Sequence, residues 1–556
     1  MKTKILFHLS VIAVALVAGS CKKDPSKGIL NTGNFTNTSG SIKDLASAAG
    51  FQFGFGADYA SMTANSSYAS TVQSEANVVT FGNELKYGSI VQNDGSFDYS
   101  TADAFYNLCN AAGLQVYGHN LVWYQQQNTT YLNSIVGGSS SSNTNLLGNG
   151  SFENWSNPSS APSGWAYYNG GADFSQGSGS GNTEDGSYSM AITVDASTSH
   201  AFGSGSGWHV QLASSFPTIA GDQLKVSFYA KASMAGCGYQ GEGNNGGSGT
   251  SYTGDQSLTT SWTQYSYTFT ASAATTTIAF DMADNPVGST VYLDNVVVTD
   301  LTQAAANSAP AAIAERVDSV LHLWISDVVG HYAGKIKAWD VLNEPLADDG
   351  TIRTNSNLPS GTTSTSPGVF VWSQYLGKDV GVKAFTYAHA ADPAALLFIN
   401  DYNLESSSKK LDSLIAYVNY LKSNGAQVDG IGTQMHVSIN SSYAGIDAMF
   451  QKLAATGLKI RISELDVKIN PDNKSNFSQV PVDKTLLASQ ADMYKYIVNS
   501  YIKNVPAAQR YGITVWGVND NTSWLYNNGQ DYPLLFDNNF AKKAAYAGFL
   551  QGLQSK

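Results

Sequence analysis

The chain has 556 residues and a formal net charge of −12, with 42 acidic against 30 basic side chains. That length exceeds what one hydrophobic core usually holds, and the acidic balance argues against a nucleic-acid partner, which would require a basic surface. Aromatic residues (12%) are nearly as frequent as charged ones (13%), a balance suited to recognising ring faces and hydroxyls rather than anions.

The first element, "MKTKILFHLSVIAVALVAGSCKKD", opens with Lys2 and Lys4, followed by an apolar run too short for a membrane span and small residues before Cys21. Residues 1–21 therefore read as a lipoprotein-type signal peptide with Cys21 as the lipidation site. The segment resembles a bacterial lipobox, with Ala18 where that pattern prefers Leu; an ordinary signal peptide with a chance cysteine is the competing reading. The expectation is an exported outer-membrane lipoprotein, periplasmic or cell-surface, that touches a membrane only through its anchor. Residues 22–45, poor in periodicity, read as a flexible tether. Cys109 and Cys237 fall in different predicted domains, so no disulfide framework is expected.

Eight short apolar runs follow: "FQFGFGAD", "NVVTFGNELKY", "LQVYGHNLVW", "IKAWDVLNEP", "ALLFINDYN", "VDGIGTQMHV", "KIRISELDV" and "GITVWGVND". Between most of them lie amphipathic stretches such as "KKLDSLIAYVNYLKSNG", with apolar residues three and four apart. Apolar strands alternating with helices predict parallel strands buried on both faces, and eight such units close into a (β/α)8 TIM barrel. A doubly wound open sheet is the alternative. The pattern breaks after the third run. Over residues 137–303 Gly, Ser and Thr dominate, and alternating segments appear in "QLKVSFYAKA", "WTQYSYTFTA", "TTIAFDMA" and "TVYLDNVVVTD". These predict an antiparallel β-sandwich of jelly-roll type, inserted between barrel parts 46–136 and 304–556, in a loop of the kind that sits at a barrel's catalytic end.

The barrel runs end in polar residues: Asn83, Glu84 and Lys86; His119 and Trp123; Asn343 and Glu344; Asn400 and Asp401; Gln434 and His436; Glu464 and Asp466; Trp516 and Asp520. Desolvating a carboxylate at the end of an apolar strand is costly unless it is paired or used, and "AWDVLNE" and "IRISE" each deliver one. Either glutamate alone could be a strand-end ion pair. Two of them within a ring of Asn, Gln, His and Trp fit the carboxyl pair that glycoside hydrolysis needs.

In order, "GNELKY", "GHNLVW", "WDVLNEP", "NDYN", "GIGTQMH", "ISELDV" and "WGVNDNTSW" resemble the motifs of glycoside hydrolase family 10, the (β/α)8 endo-1,4-β-xylanases. The resemblance implies retaining hydrolysis of internal β-1,4 bonds of xylan, with Glu344 as acid/base and Glu464 as nucleophile. Asn343, His436 and Asp466 would support them, and Asn83, Lys86, His119, Trp123, Gln434, Trp516 and Trp524 would hold sugars. It implies no catalytic cofactor, xylan and xylo-oligosaccharides as partners, and a monomer. Another β-1,4-glycanase and a non-catalytic glycan-binding lipoprotein are the alternatives. Two positions depart from the family: Gly82 replaces an acidic residue, and Tyr124 replaces a histidine.

In the insert, "NLLGNGSFE" and "VYLDNVVVTD" resemble carbohydrate-binding modules of families 4 and 22. That implies aromatic platforms for sugar rings, with Trp165, Tyr167, Tyr168, Trp208, Tyr239 and Trp262 as candidates. It also implies a structural calcium held by Glu153 and Asp294.

Overall fold

The computed structural model describes residues 34–137, 145–158, 160–171, 173–473, 475–477 and 482–555. The signal peptide, Cys21 and the first half of the predicted tether, residues 22–33, lie outside the described residues. The chain divides into two compact units, Met1–Leu132 with Asp318–Lys556, and Asn133–Val317.

The first unit contains eight parallel strands: β1 Gln52–Ala57, β2 Val78–Phe81, β3 Gln115–Val122, β4 Ala338–Asn343, β5 Leu396–Asp401, β6 Gly430–Thr433, β7 Lys459–Lys468 and β8 Arg510–Val515. Each pairs with the next, and β8 pairs back onto β1, so the sheet is a closed barrel. The strands are buried over nearly their whole length, as sheets covered on both faces must be. Helices follow the predicted periodicity. In Ser408–Ser423, Leu411, Leu414, Tyr417, Val418 and Leu421 form one buried stripe, and the N-cap Ser407 accepts from Lys410 N.

One expectation is corrected at the N-terminal end. The predicted tether extends to residue 45, but Phe35 is buried with Ala491 and Ala547, and a helix over Ile42–Ala48 starts at a Ser41 cap with Ile42 and Ala46 in the core. A short amphipathic turn with two apolar residues four apart is easily hidden in a Ser/Thr/Asn-rich sequence.

The barrel interior is not wholly apolar. Arg461 of β7 reaches Asp340 of β4 (3.4 Å), donates to Thr80 and Thr514, and lies 3.4 Å from the centre of the Tyr117 ring. Asp340 also accepts from Tyr117 OH and pairs with His119 Nδ1 at 2.9 Å. Every group of this buried network has a partner of opposite character, which is the condition for keeping charges inside.

The second unit has two antiparallel sheets. One orders Tyr188–Thr193, Gln223–Ala232, Thr263–Thr270 and Thr290–Asp300 with Phe174–Ser178; the other contains Ala166–Asn169, Gln211–Pro217, Gly238–Gly243 and Thr275–Asp281. Leu224, Val226 and Phe228 from the first pack with Leu212, Ile278 and Phe280 from the second in one core. Cys109 and Cys237 are both buried and unpaired, one in each unit.

Candidate active site

The C-terminal ends of the barrel strands bring the predicted polar residues together. Glu344 follows β4 and Glu464 lies within β7, and three amides link them. Gln434 Nε2 lies 3.3 Å from both Glu344 Oε1 and Asn343 Oδ1. Asn400 Nδ2 donates to Asn343 Oδ1 and to Glu464 Oε1, each at 2.8 Å. Asn400 is itself held by Ser463 Oγ, and it can sit there because Gly432 lacks a side chain: a Cβ would fall 2.4 Å from Asn400 Oδ1.

Glu464 is 5% exposed. His436 stands between two carboxylates, its Nε2 3.3 Å from Glu464 Oε2 and its Nδ1 2.8 Å from Asp466 Oδ2. Asp466 also accepts from Trp524 Nε1 at 3.0 Å, and the Trp524 ring meets the His436 ring edge-on. Burial would raise the Glu464 pKa, but the His436 hydrogen bond, the charges of His119 and His436, and the Asn400 bond together hold it down to about 2. Desolvation works against a charged His436, but the two carboxylates outweigh it and lift its pKa to about 10. At neutral pH the pair is therefore an imidazolium beside an ionised carboxylate. Lys86 is 5% exposed, and burial brings it down to about 8 against the opposing pull of Glu464, Glu344 and Glu84.

Four of the sugar-binding candidates, Asn83, Lys86, Trp516 and Trp524, line one cleft, while Trp123 lines a neighbouring cavity with Glu344. A cavity of about 280 Å³ is lined by Gly82, Asn83, Lys86, Gln126, Trp516 and Trp524, among others. Lys86 Nζ lies 4.8 Å from the Trp123 ring centre, and Gln126 Nε2 donates to Asn83 Oδ1. His119 is buried under the Trp516 ring, with which it makes an edge contact at 5.3 Å. The wide exposure of Trp524, 62%, leaves an indole face free over the cleft. Sequence reasoning missed Arg353 and Gln126, both in loops without periodic signal; the buried Arg353 is the more consequential.

In the second unit the aromatic candidates separate. Trp165 and Tyr239 are corrected: both are buried core residues, Trp165 donating to Asn149 O beside Phe152 and Tyr239 packing edge-on against Phe228. Tyr167 stacks on Phe174 at 4.2 Å and gives its hydroxyl to Ser160 O, so it too serves packing. Trp208 is 50% exposed. Strand register places Asn169, Gln211, Asp281, Glu242 and Tyr252 on the face of the sheet turned from the core. Asn169 also donates to Trp208 O, and Tyr252 is 62% exposed. Tyr252 was not singled out from sequence, because a two-residue edge strand gives no alternation to read.

Both carboxylates expected to hold calcium accept main-chain N–H groups. Glu153 Oε1 accepts the N–H groups of Ser187 and Tyr188, and Asp294 accepts those of Glu184 and Asn295. Among the described residues no group of three or more His, Cys, Asp or Glu side chains is arranged to hold a metal.

A closed parallel barrel with two glutamates toward the strand ends, joined through amides and flanked by a histidine–aspartate pair and the exposed Trp524 indole, defines a barrel protein with a paired-carboxylate site. Residues 41–150 and 259–552 match the model of glycosyl hydrolase family 10, and the chain belongs to that family. It is 39% identical over 256 residues to endo-1,4-beta-xylanase A of Cellvibrio japonicus, a match covering 43% of this chain and 40% of that protein. It is 33% identical over 267 residues to endo-1,4-beta-xylanase A of Thermoanaerobacterium saccharolyticum, covering 47% of this chain and 20% of that one. The match thus spans less than half the length of either relative. The fold is also that of native xylanase 10B from Thermotoga maritima, with TM-score 0.53, 20% identity, and coverage of 93% of this chain and 98% of that one.

Proposed function

We propose that the protein is a retaining endo-1,4-β-xylanase that cleaves internal β-1,4 bonds of xylan by double displacement. The observation that carries this is the amide relay Glu344–Gln434–Asn343–Asn400–Glu464, which joins two carboxyls at one barrel mouth. Glu464, ionised across the working pH range, attacks the anomeric carbon while Glu344 gives its proton to the departing glycosidic oxygen. A glycosyl ester on Glu464 results. Glu344, now a carboxylate, takes a proton from water, whose oxygen displaces Glu464 and restores both groups. The two carboxyls supply acid, nucleophile and base between them, so the reaction calls for no cofactor. The names of the relatives support xylan as substrate. One relative, 36% identical over 230 residues, is named Exoglucanase XynX of Acetivibrio thermocellus, which favours a β-1,4-glucan as the second reading. Turnover of xylan against soluble cellulose separates the two.

The insert is proposed as a jelly-roll carbohydrate-binding module whose glycan face carries Trp208 and Tyr252 around Gln211, Glu242 and Asp281. Export and lipid anchoring at Cys21 are proposed from residues 1–21, and the working form is proposed to be a monomer.

The test is chemical rescue. Glu464→Ala and Glu344→Ala should both abolish xylan cleavage. On an aryl xylobioside whose leaving group needs no proton, Glu344→Ala should form the glycosyl-enzyme and stall, and azide should release it as a β-glycosyl azide. An α-linked azide from Glu344→Ala would exchange the two roles.

A further inference from the structure

Glu344 has a backbone φ of +52°, in the left-handed region that a residue with a side chain occupies at a cost on the order of 1 kcal/mol or more. Something must hold it there. Its N–H donates to Asn400 O at 2.9 Å, which ties one side of the turn to β5. The other side is tied by one residue. Arg353 Nε donates to Glu344 O (2.9 Å), Arg353 N donates to Pro345 O (2.9 Å), and Arg353 Nη2 donates to Leu346 O (2.6 Å), so three successive carbonyls end on this arginine. Arg353 is buried, and its guanidinium lies 4.4 Å from the centre of the Tyr124 ring and 3.1 Å from Tyr402 OH. Tyr124 is buried in turn, packed with Val369 and Val371. Its hydroxyl accepts from Gln125 Nε2 at 2.7 Å, leaving its proton free to be donated on the cavity side that it shares with Glu344. Tyr124, Arg353 and Glu344 line one small cavity with Trp123 and Ser373.

We propose that Arg353 and Tyr124 form one positioning unit for Glu344: the arginine fixes the strained turn through its carbonyls, and the tyrosine, whose ring lies against the guanidinium, turns its hydroxyl toward the carboxylate. The unit rests on the acid/base role proposed above. It also accounts for the departure at Tyr124. A phenol keeps its proton throughout the working range, so the donor to Glu344 does not titrate alongside it, as an imidazole would. Burial raises the Tyr124 hydroxyl further. The other charged or titratable groups acting on Glu344 are Lys86 from the loop after β2, Asp401 and Tyr402 at the end of β5, and Glu464 through the amide relay. A lysine cannot replace Arg353, because a single ammonium lacks the planar fork that reaches two carbonyls at once.

The experiment measures kcat/KM against pH for Arg353→Lys and Tyr124→Phe on aryl β-xylobiosides with leaving groups of graded basicity. Both variants should lose about tenfold or more when the leaving group needs protonation, and little with dinitrophenolate. The alkaline limb should move upward in Tyr124→Phe, which removes a hydroxyl that favours the ionised acid, and stay close to wild type in Arg353→Lys, which keeps the positive charge. In a Glu344→Ala background neither change should cost anything further on dinitrophenyl xylobioside. A loss that is uniform across leaving groups in either variant, or an unmoved alkaline limb in Tyr124→Phe, would make the pair merely structural and overturn the proposal. If Arg353→Lys is too unstable to assay, Tyr124→Phe, which keeps the stacked ring and loses only the hydroxyl, decides the matter alone. A Glu344→Ala enzyme impaired equally on every leaving group would remove the acid/base role itself, and the unit with it.

Discussion

The His436–Glu464 contact makes a quantitative prediction. The nucleophile is held at about 2 against an ordinary value of 4.5, a difference worth about 3 kcal/mol in favour of the carboxylate, and the first contribution opposing its burial is the His436 hydrogen bond. Replacing His436 by Gln keeps a donor of similar reach and removes the imidazolium charge. Burial is then opposed by the substituted amide, Asn400, Lys86 and His119 but no longer by the imidazolium, so Glu464 should titrate at roughly 4 to 6. The assay is kcat/KM on dinitrophenyl β-xylobioside from acid to neutral pH, where no proton is needed on the leaving group and Glu344 drops out. Wild type should hold its activity on acidification until the fold itself fails, and His436→Gln should show a new acid limb about two units higher or more. Stability should change with the same signs. A depressed Glu464 contributes stability that is present above 4.5 and lost as pH falls toward about 2. A raised His436 contributes stability that is complete below 6.5 and lost as pH rises through about 10. Lys86, lowered to about 8, acts oppositely at alkaline pH, so the readout is the difference in melting temperature between variant and wild type. If the acid limbs of the two enzymes superimpose at equal thermal stability, the imidazolium does not set the nucleophile's ionisation and the electrostatic account is wrong.

Two further outcomes follow from the cleft and the insert. Gly82 has a φ outside the left-handed region, and an added Cβ would meet only Ala57 at 3.4 Å, so Gly82→Glu should fold without strain. It should lower KM on xylotriose by about tenfold or more through a charge-assisted sugar contact near Lys86, with little change on long xylan; equal kinetics on both substrates would mean the subsite is already filled. In the insert, Trp208→Ala or Tyr252→Ala should weaken retention on insoluble xylan by roughly fivefold while leaving xylotriose hydrolysis unchanged. Undiminished retention in both would place glycan binding on another face.

The barrel strands were legible in the sequence because a strand buried on both faces has to be apolar for most of its length, and the residue that ends it is conspicuous when polar. Asn400, Gln434, Glu344 and Glu464 were all visible in this way. The sixth run was not read correctly in detail. "VDGIGTQMHV" looks like one strand, but Met435 takes a φ of +57° and splits it into Gly430–Thr433 and His436–Ser438. That turn places Gln434 and His436 at the site, and no propensity anticipates it, since a methionine in the left-handed region is held there by its surroundings. The strand Gly238–Gly243, "GYQGEG", was passed over for the opposite reason. Its glycines read as loop, yet a Cβ at Gly241 or Gly243 would fall 2.7 or 2.4 Å from the rings of Tyr267 and Phe269, so the strand is glycine-rich because the facing sheet supplies the bulk.

Arg353 shows where sequence reading stops for the site itself. Its neighbourhood, "DDGTIRTN", has turn residues and no period, and a lone arginine in a loop is ordinarily a solvated charge. What makes it part of the active site is a set of main-chain carbonyls, which every sequence contains and no sequence displays. The side chains that perform the proposed chemistry could be found because they interrupt apolar strands. The groups that aim them are bound through backbone geometry, and they become visible only when the left-handed turn at Glu344 and the fork that holds it are seen together.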